Sequence, residues 1–228
     1  VRNNTFSTGS QFFTIGINHI TNAAGVSTQT TILDNSFGAF ENHDFIHIEA
    51  GENGVGGDAD ILVDGNTNTS VIENDAVFIG LESSNTTAIV VVTNNTFGGW
   101  DGSGNGIDLF IGGGSTPPTN LEVHFLIQNN IFNNVDGDAI LINFDGIGTK
   151  IFGTIDTNTI TGDGVNTEDG ISFDDDSSGD GIEATVFVTN NNISDITDNG
   201  IRYRPFNDDP GIHTINMVID GNTIHNPN

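Results

Sequence analysis

The chain has 228 residues and a formal net charge of −27, with 31 acidic and four basic side chains. An acidic surface of this kind repels nucleic acid and anionic lipid, so we expect neither as a partner. Cysteine is absent, which excludes disulfides and thiolate metal sites. No run of about 18 apolar residues occurs, so we expect no membrane insertion.

A six-residue motif recurs through the whole chain, beginning with Val1-Arg2-Asn3-Asn4-Thr5-Phe6. Its fourth residue is always asparagine, and we call these residues the anchors. The anchors are Asn4, Asn35, Asn66, Asn95, Asn130, Asn158, Asn191 and Asn222. They are 28 to 35 residues apart, and self-similarity at such a period indicates a fold of stacked, repeating coils.

Apolar residues alternate with polar ones around each anchor. The third residue before the anchor is always Val or Ile, and the second residue after it is Phe or Ile except at Asn68. β-branched and aromatic residues at alternate positions, interrupted by Asn and Gly, predict short strands and tight turns. We expect the anchor itself to occupy the turn, because Asn tolerates the left-handed conformation.

A second strand is predicted about ten to thirteen residues after each anchor. Its copies are 46–48, 77–79, 107–109, 140–142, 171–173 and 201–203, with a less certain copy at 13–17. Variable loops, including 112–120 and 174–183, then lead to the next coil. Three strands per coil of about 31 residues, stacked about 4.8 Å apart, predict an all-β parallel β-solenoid.

The predicted solenoid has about seven to eight coils and forms a single domain over residues 1–228. Both ends of the chain fall inside repeat units, so we expect the domain to be a segment of a longer or processed protein.

The pattern V-x-x-N-x-F followed by G-I-x-L resembles the right-handed parallel β-helix repeat of the pectate-lyase-like superfamily, along essentially the whole chain. The resemblance implies a right-handed, single-stranded parallel β-helix in which the anchors form a structural ladder of side-chain amides. It does not define an activity, because this scaffold carries lyases, glycosidases, adhesins and structural proteins.

A second set of polar residues lies two positions before the second strand. Its members are Asp44, Asp75, Asn105, Asp138, Asp169 and Asn199. Like charges so close together destabilise each other unless a cation or a proton intervenes. The set is therefore expected either to cap turns or to hold a row of calcium ions.

The loop after the sixth second strand is the sharpest candidate for a calcium site. Oxygen-bearing side chains alternate there at Asp174, Asp176, Ser178 and Asp180, with glycines that allow the loop to bend. Hard cations such as Ca²⁺ take ligands of this type. An EF-hand would need a bidentate acid at the twelfth position, which is Thr185, so the alternative is a solvated acidic loop.

Arg202 and Arg204 lie one coil beyond this loop. In the β-helix polysaccharide lyases that the chain resembles, calcium ions and a basic residue abstract the proton beside a uronate carboxylate. That resemblance makes Arg202, with Arg204, the candidate base of a lyase. The alternative is that both arginines form ion pairs across coils with Asp174, Asp175, Asp208 or Asp209.

Exposed aromatic residues suggest a third kind of site. Trp100, Phe78 and Phe110, flanked by Asp108, could form a platform on which a sugar stacks. Trp100 could equally fold over an adjacent coil. His43 and His47 could share a strand edge, but the sequence shows no third metal ligand for them.

These observations favour an extracellular structural or adhesive β-helix segment of a surface or secreted protein. Open coil ends would expose strand edges, so assembly of copies end to end into a fibre is a further expectation. The alternatives are a calcium-assisted polysaccharide lyase and a glycan-binding module. The expected partners are accordingly an extracellular glycan or other copies of the chain.

Overall fold

The computed structural model describes residues 1–6, 15–19, 27–38, 44–51, 57–68, 71–102, 104–112, 117–175, 181–205 and 213–225. Over these ranges the chain forms 22 strands and no helix. None of the described residues therefore forms a helix with the length and hydropathy needed to cross a membrane. The prediction of an all-β parallel solenoid is confirmed, whereas its right-handed sense stays a prediction.

The strands are short, with two to seven residues each. In chain order they are β1 (Thr5–Phe6), β2 (Ile15–His19), β3 (Ser27–Leu33), β4 (Ser36–Phe37), β5 (Ile46–Ala50), β6 (Asp58–Asp64), β7 (Thr67–Asn68), β8 (Val77–Leu81), β9 (Thr87–Thr93), β10 (Thr96–Gly98), β11 (Ile107–Ile111), β12 (Glu122–Gln128), β13 (Ile131–Val135), β14 (Ile140–Phe144), β15 (Lys150–Asp156), β16 (Thr159–Gly162), β17 (Ile171–Asp175), β18 (Glu183–Thr189), β19 (Asn192–Ser194), β20 (Ile201–Arg204), β21 (Thr214–Asp220) and β22 (Thr223–His225).

Every third strand belongs to the same parallel sheet. The first sheet has the order β1-β4-β7-β10-β13-β16-β19-β22, the second β2-β5-β8-β11-β14-β17-β20, and the third β3-β6-β9-β12-β15-β18-β21. In the second and in the third sheet, about six turns of the chain lead from the first strand to the seventh. The solenoid therefore has slightly fewer turns than the seven to eight coils expected.

The core consists of files of equivalent residues from successive coils. The residue three positions before the anchor is fully buried in the six interior coils, from Ile32 to Val188. The same position is half exposed at both ends, with 50% exposure at Val1 and 54% at Ile219. Burial at this position therefore depends on a neighbouring coil on each side.

Two exceptions to the files are compensated by neighbouring side chains. Asn68 stands where the other coils have Phe or Ile. The buried ring of Phe45 packs between Phe37 of the preceding coil and Phe97 of the following coil. The Phe45 ring centroid lies 5.0 Å from that of Phe37 and 6.5 Å from that of Phe97. In the third sheet, the ring of Phe125 lies where a Cβ atom on Gly153 would be, so the small residue makes room for the large one.

The turn before the first sheet has one conformation in all eight coils. The residue immediately before each anchor has a positive φ, between 54° at Asp34 and 67° at Gly65. The expectation that the anchor itself is left-handed was wrong. Asn, Asp or Gly occupies this preceding position in seven coils, whereas Thr157 (φ 57°) carries a β-branched side chain there.

The anchors form a continuous hydrogen-bonded ladder. Each anchor from Asn4 to Asn191 donates both its backbone N–H and its side-chain Nδ2 to the Oδ1 of the anchor in the next coil, at 2.9–3.1 Å. The Nδ2 of Asn130 also donates to the Val92 carbonyl of the preceding coil at 2.9 Å. A buried amide is satisfied in this way by three coils at once.

Candidate functional site

Polar and charged residues concentrate along one edge and the outer face of the second sheet. The polar set of six residues, from Asp44 to Asn199, forms a second ladder. The Oδ1 atoms of the first five members accept the backbone N–H of the equivalent residue one coil later, at 2.7–3.1 Å. The donor lies on the later coil here and on the earlier coil in the anchor ladder, so the two ladders run in opposite directions.

Burial makes several of these carboxyl groups weak acids. Burial, reinforced by neighbouring charges that include Asp44 beside Asp75 and Asp169 beside Asp138, raises the pKa of Asp75 and of Asp138 to about 7. Burial and the nearby Asp75 raise the pKa of Asp108, on the outer face of β11, to about 8. Protonation of these carboxyl groups would reduce their mutual repulsion.

His47 lies three residues after Asp44, the first member of the set, and contacts two acids. Its Nδ1 lies 2.7 Å from Asp44 Oδ2, and its Nε2 lies 3.0 Å from Glu49 Oε1. Burial opposes the charged imidazole, but the two hydrogen bonds outweigh it and raise the pKa of His47. His43 lies outside the described residues. Among the residues that are described, no three His, Asp or Glu side chains are grouped so that they could hold a metal ion.

Both arginines of the last coil are bound to acids. The Nη1 of Arg202 lies 2.8 Å from the fully buried Asp169 Oδ2, and its Nη2 donates to Ser172 Oγ at 3.0 Å. Arg202 also contacts Asp174, which in turn accepts a hydrogen bond from Arg204. A general base must reach the proton that it removes with a free lone pair. A guanidinium held by three side-chain partners is instead a neutralising group.

A buried acid occupies a core position beside these arginines. Asp175 is in register with Phe144, an inward-facing residue of the preceding coil, and is itself almost fully buried. Its Oδ2 lies 2.7 Å from the Nδ1 of His213 and accepts a hydrogen bond from the Tyr203 hydroxyl at 3.3 Å. Burial and the Asp175 charge raise the pKa of Tyr203 to about 12.

The candidate calcium loop lies mostly outside the described residues. Asp176, Ser178 and Asp180 belong to the part of the chain that is left undescribed, as do Asp208 and Asp209. Asp174 is described, and its contacts within the described residues are those with Ser172, Arg202 and Arg204. The calcium hypothesis therefore stays a prediction.

The four residues of the sugar platform are divided between two places. Phe78 and Asp108 are in register on the outer face of the second sheet, with Phe110 two residues further along β11. One face of the Phe78 ring stacks on His47, with centroids 4.6 Å apart. Trp100 packs against the core from the preceding turn, and its indole N–H donates to the Asn74 carbonyl at 3.2 Å.

An open depression on the first sheet was not anticipated from the sequence. Its volume is about 450 Å³, and its lining includes Asn68, Val71, Gly98, Asn133 and Asn134. The depression lies where Asn68 replaces the Phe or Ile of the other coils and where Gly98 and Gly99 follow in the next coil. The signal in the sequence was Asn68, the single exception in its file.

Comparison with protein-family models, curated proteins and solved structures finds no significant match to the chain. The assignment as a parallel solenoid is therefore supported by the strand register alone.

Removing Arg202 is expected to destabilise the fold strongly. Arg202→Met leaves the buried Asp169 without its cation, and losing one partner of a buried pair costs about 3–5 kcal/mol. The matched control Arg204→Met removes a guanidinium that is 57% exposed, so it should cost about 1 kcal/mol or less. Chemical denaturation at neutral pH measures both, and equal losses in the two variants would contradict this assignment.

Stability is expected to be highest in mild acid. The pKa values of Asp75, Asp108 and Asp138 are raised in the folded state, so their contribution is fully present below the unfolded pKa of about 3.9 and is lost as the pH rises towards 8. Desolvation opposes the charged form of Asp163, but hydrogen bonds from the backbone N–H groups of residues 165–167 outweigh it and lower its pKa to about 2, so its contribution is lost in stronger acid.

Thermal unfolding followed from pH 3 to pH 9 should therefore show a maximum near about pH 4–5. Asp108→Asn should raise the melting temperature at neutral and alkaline pH, and should therefore make the melting temperature decline less steeply over that range. A melting temperature that climbs steadily from pH 5 to pH 8 would show that these carboxyl groups are not protonated in the folded protein.

Proposed function

We propose that the chain is a rigid structural element of an extracellular surface or secreted protein. The observation that carries this proposal is the unbroken anchor ladder from Asn4 to Asn222, which joins each coil to the next. Three parallel sheets and two side-chain ladders oppose bending and local opening, as a stalk or fibre requires. The acidic, cysteine-free composition and the resemblance to β-helix proteins support the extracellular location.

The two ends of the rod support a second part of the proposal. Ile219 and Ile224 of the last coil are 54% and 53% exposed, whereas their interior equivalents, such as Ile155 and Ile160, are fully buried. A further coil stacked on this end would cover them and pair the open edges of β20, β21 and β22. In end-to-end assembly, the first coil of another copy would supply this cover.

The repeat makes the two ends complementary. Asn222 occupies the position from which every earlier anchor donates to the next coil, and the Asn4 Oδ1 of a second copy would be the matching acceptor. Arg2 and Asp220 occupy equivalent positions two residues before their anchors, so stacking brings opposite charges together. Repetition of this contact would produce a fibre.

The alternative functions have less support. The contacts of Arg202 with Asp169, Asp174 and Ser172 oppose its use as the base of a lyase. Binding of a neutral glycan is favoured at the depression lined by Asn68, Asn133 and Asn134, because amide groups can donate to and accept from sugar hydroxyls. Glycan binding and a structural role are compatible, since an adhesive stalk uses both.

End-to-end assembly is tested by electron microscopy and sedimentation of the purified chain. We expect rods longer than one chain whose length increases with protein concentration. Ile224→Asp places a charge in the contact and should abolish them. The matched control Val165→Asp alters a side chain that is 71% exposed and lies two coils before the last one, so it should have no effect. Rods that persist in Ile224→Asp would contradict the proposal.

A further inference from the structure

The outer face of the third sheet carries an apolar strip on an otherwise acidic molecule. The strip consists of Leu62, Ile89, Val91, Leu126, Phe152 and Phe187. Strand register places these residues in two adjacent files on β6, β9, β12, β15 and β18. Ile89, Phe152 and Phe187 are more than 40% exposed, although they alternate along their strands with fully buried residues. A contiguous exposed patch of this kind marks an interaction surface.

Polar residues border the strip on both sides. One border includes Thr87, Glu122, Lys150 and Glu183, and the other includes Thr93, Gln128, Asp156 and Thr189. An apolar centre within a polar rim is the composition of a protein–protein interface. The ring of Phe152 stacks on His124, with centroids 5.0 Å apart, so one of its faces is already covered. That arrangement suits packing against another side-chain layer better than stacking against sugar rings.

We propose that the apolar strip docks against the same strip of a second copy, with the two rods antiparallel. The twofold axis lies between β12 and β15 and runs along the strands. It places β12 opposite the partner's β15 and β9 opposite the partner's β18. Val91 then meets the partner's Phe187, and His124 meets the partner's Phe152. The interface is isologous and closes at two copies.

Charge complementarity at the rim supports this arrangement. Lys150 is the only lysine of the chain, and no carboxylate of the described residues forms an ion pair with it. The twofold axis brings Lys150 opposite the partner's Glu122 and brings Glu122 opposite the partner's Lys150. Two ion pairs therefore form symmetrically at the edge of the strip.

The contact area is sufficient for a specific dimer. The axis also places β6 opposite the partner's β21, so six strands about 4.8 Å apart and seven residues of about 3.3 Å each give a footprint of about 660 Å² per copy. The total of about 1,300 Å² falls at the lower end of the range for specific interfaces. The charge of −27 on each copy opposes association, so the dimer is expected to strengthen as salt screens this repulsion.

Sedimentation equilibrium in the Ile224→Asp background tests the proposal, because that substitution blocks end-to-end assembly. The expected result is a monomer–dimer equilibrium that saturates at two copies and shifts towards dimer at high salt. Val91→Asp should weaken it by at least about 30-fold, the effect of losing a central interface residue. Val165→Asp, which lies outside the strip, should leave it unchanged.

Charge exchange tests the orientation of the two rods. Lys150→Glu should weaken the dimer, and adding Glu122→Lys should restore it, because the exchanged pair meets again across the axis. Circular dichroism establishes that each variant is folded. A monomer at all concentrations and salt conditions, or a dimer that survives Val91→Asp, would overturn the proposal. Failure of Glu122→Lys to restore the Lys150→Glu dimer would overturn the antiparallel arrangement.

Discussion

The acceptor oxygen of each anchor asparagine is the contact on which the coil-to-coil geometry depends. It receives two hydrogen bonds from the preceding coil, one from the backbone and one from the side chain, while the backbone N–H and Nδ2 of the same residue donate to the next coil. Each buried bond of this type contributes about 1 kcal/mol, but an unpaired buried donor costs about 1–3 kcal/mol. The ladder therefore fixes the register of successive coils mainly because any slip would leave buried amide groups unpaired.

The second ladder solves the same geometric problem with acids, and this choice explains the electrostatics of the molecule. A carboxylate accepts a backbone N–H as well as an amide does, but it brings charge into a site with little water. The raised pKa values of Asp75 and Asp138 favour one solution, which is protonation as the pH falls below about 7. Arg202 supplies the other solution at Asp169 and Asp174. The contacts of Arg202 therefore neutralise a buried acid of the ladder, Asp169, together with the neighbouring Asp174.

The solenoid could be predicted from the sequence because its main signal, alternation around each anchor, lies within six consecutive residues. The left-handed turn was assigned one residue too late, although Asn3, Gly65 and Asn94 had the residue types that such a turn requires. The pairing of Arg202 with Asp169, the burial of Asp175 and the apolar strip could not be read from single segments. Each depends on which residues of neighbouring coils are in register, and loops of variable length hide that alignment.

The most direct test of the ladder is the free energy of unfolding of Asn130→Ala, measured with Asn4→Ala as its control. Asn130 is fully buried, and its Oδ1 accepts two bonds from Asn95, so its removal should cost at least about 2 kcal/mol. In the Ile224→Asp background, where end-to-end contact is blocked, the Asn4 side chain serves only as a donor within the described part of the chain, as it does to Asn35, so Asn4→Ala should cost less than about 1 kcal/mol. Equal effects of the two substitutions would contradict the claim that the anchor oxygens hold the coils together.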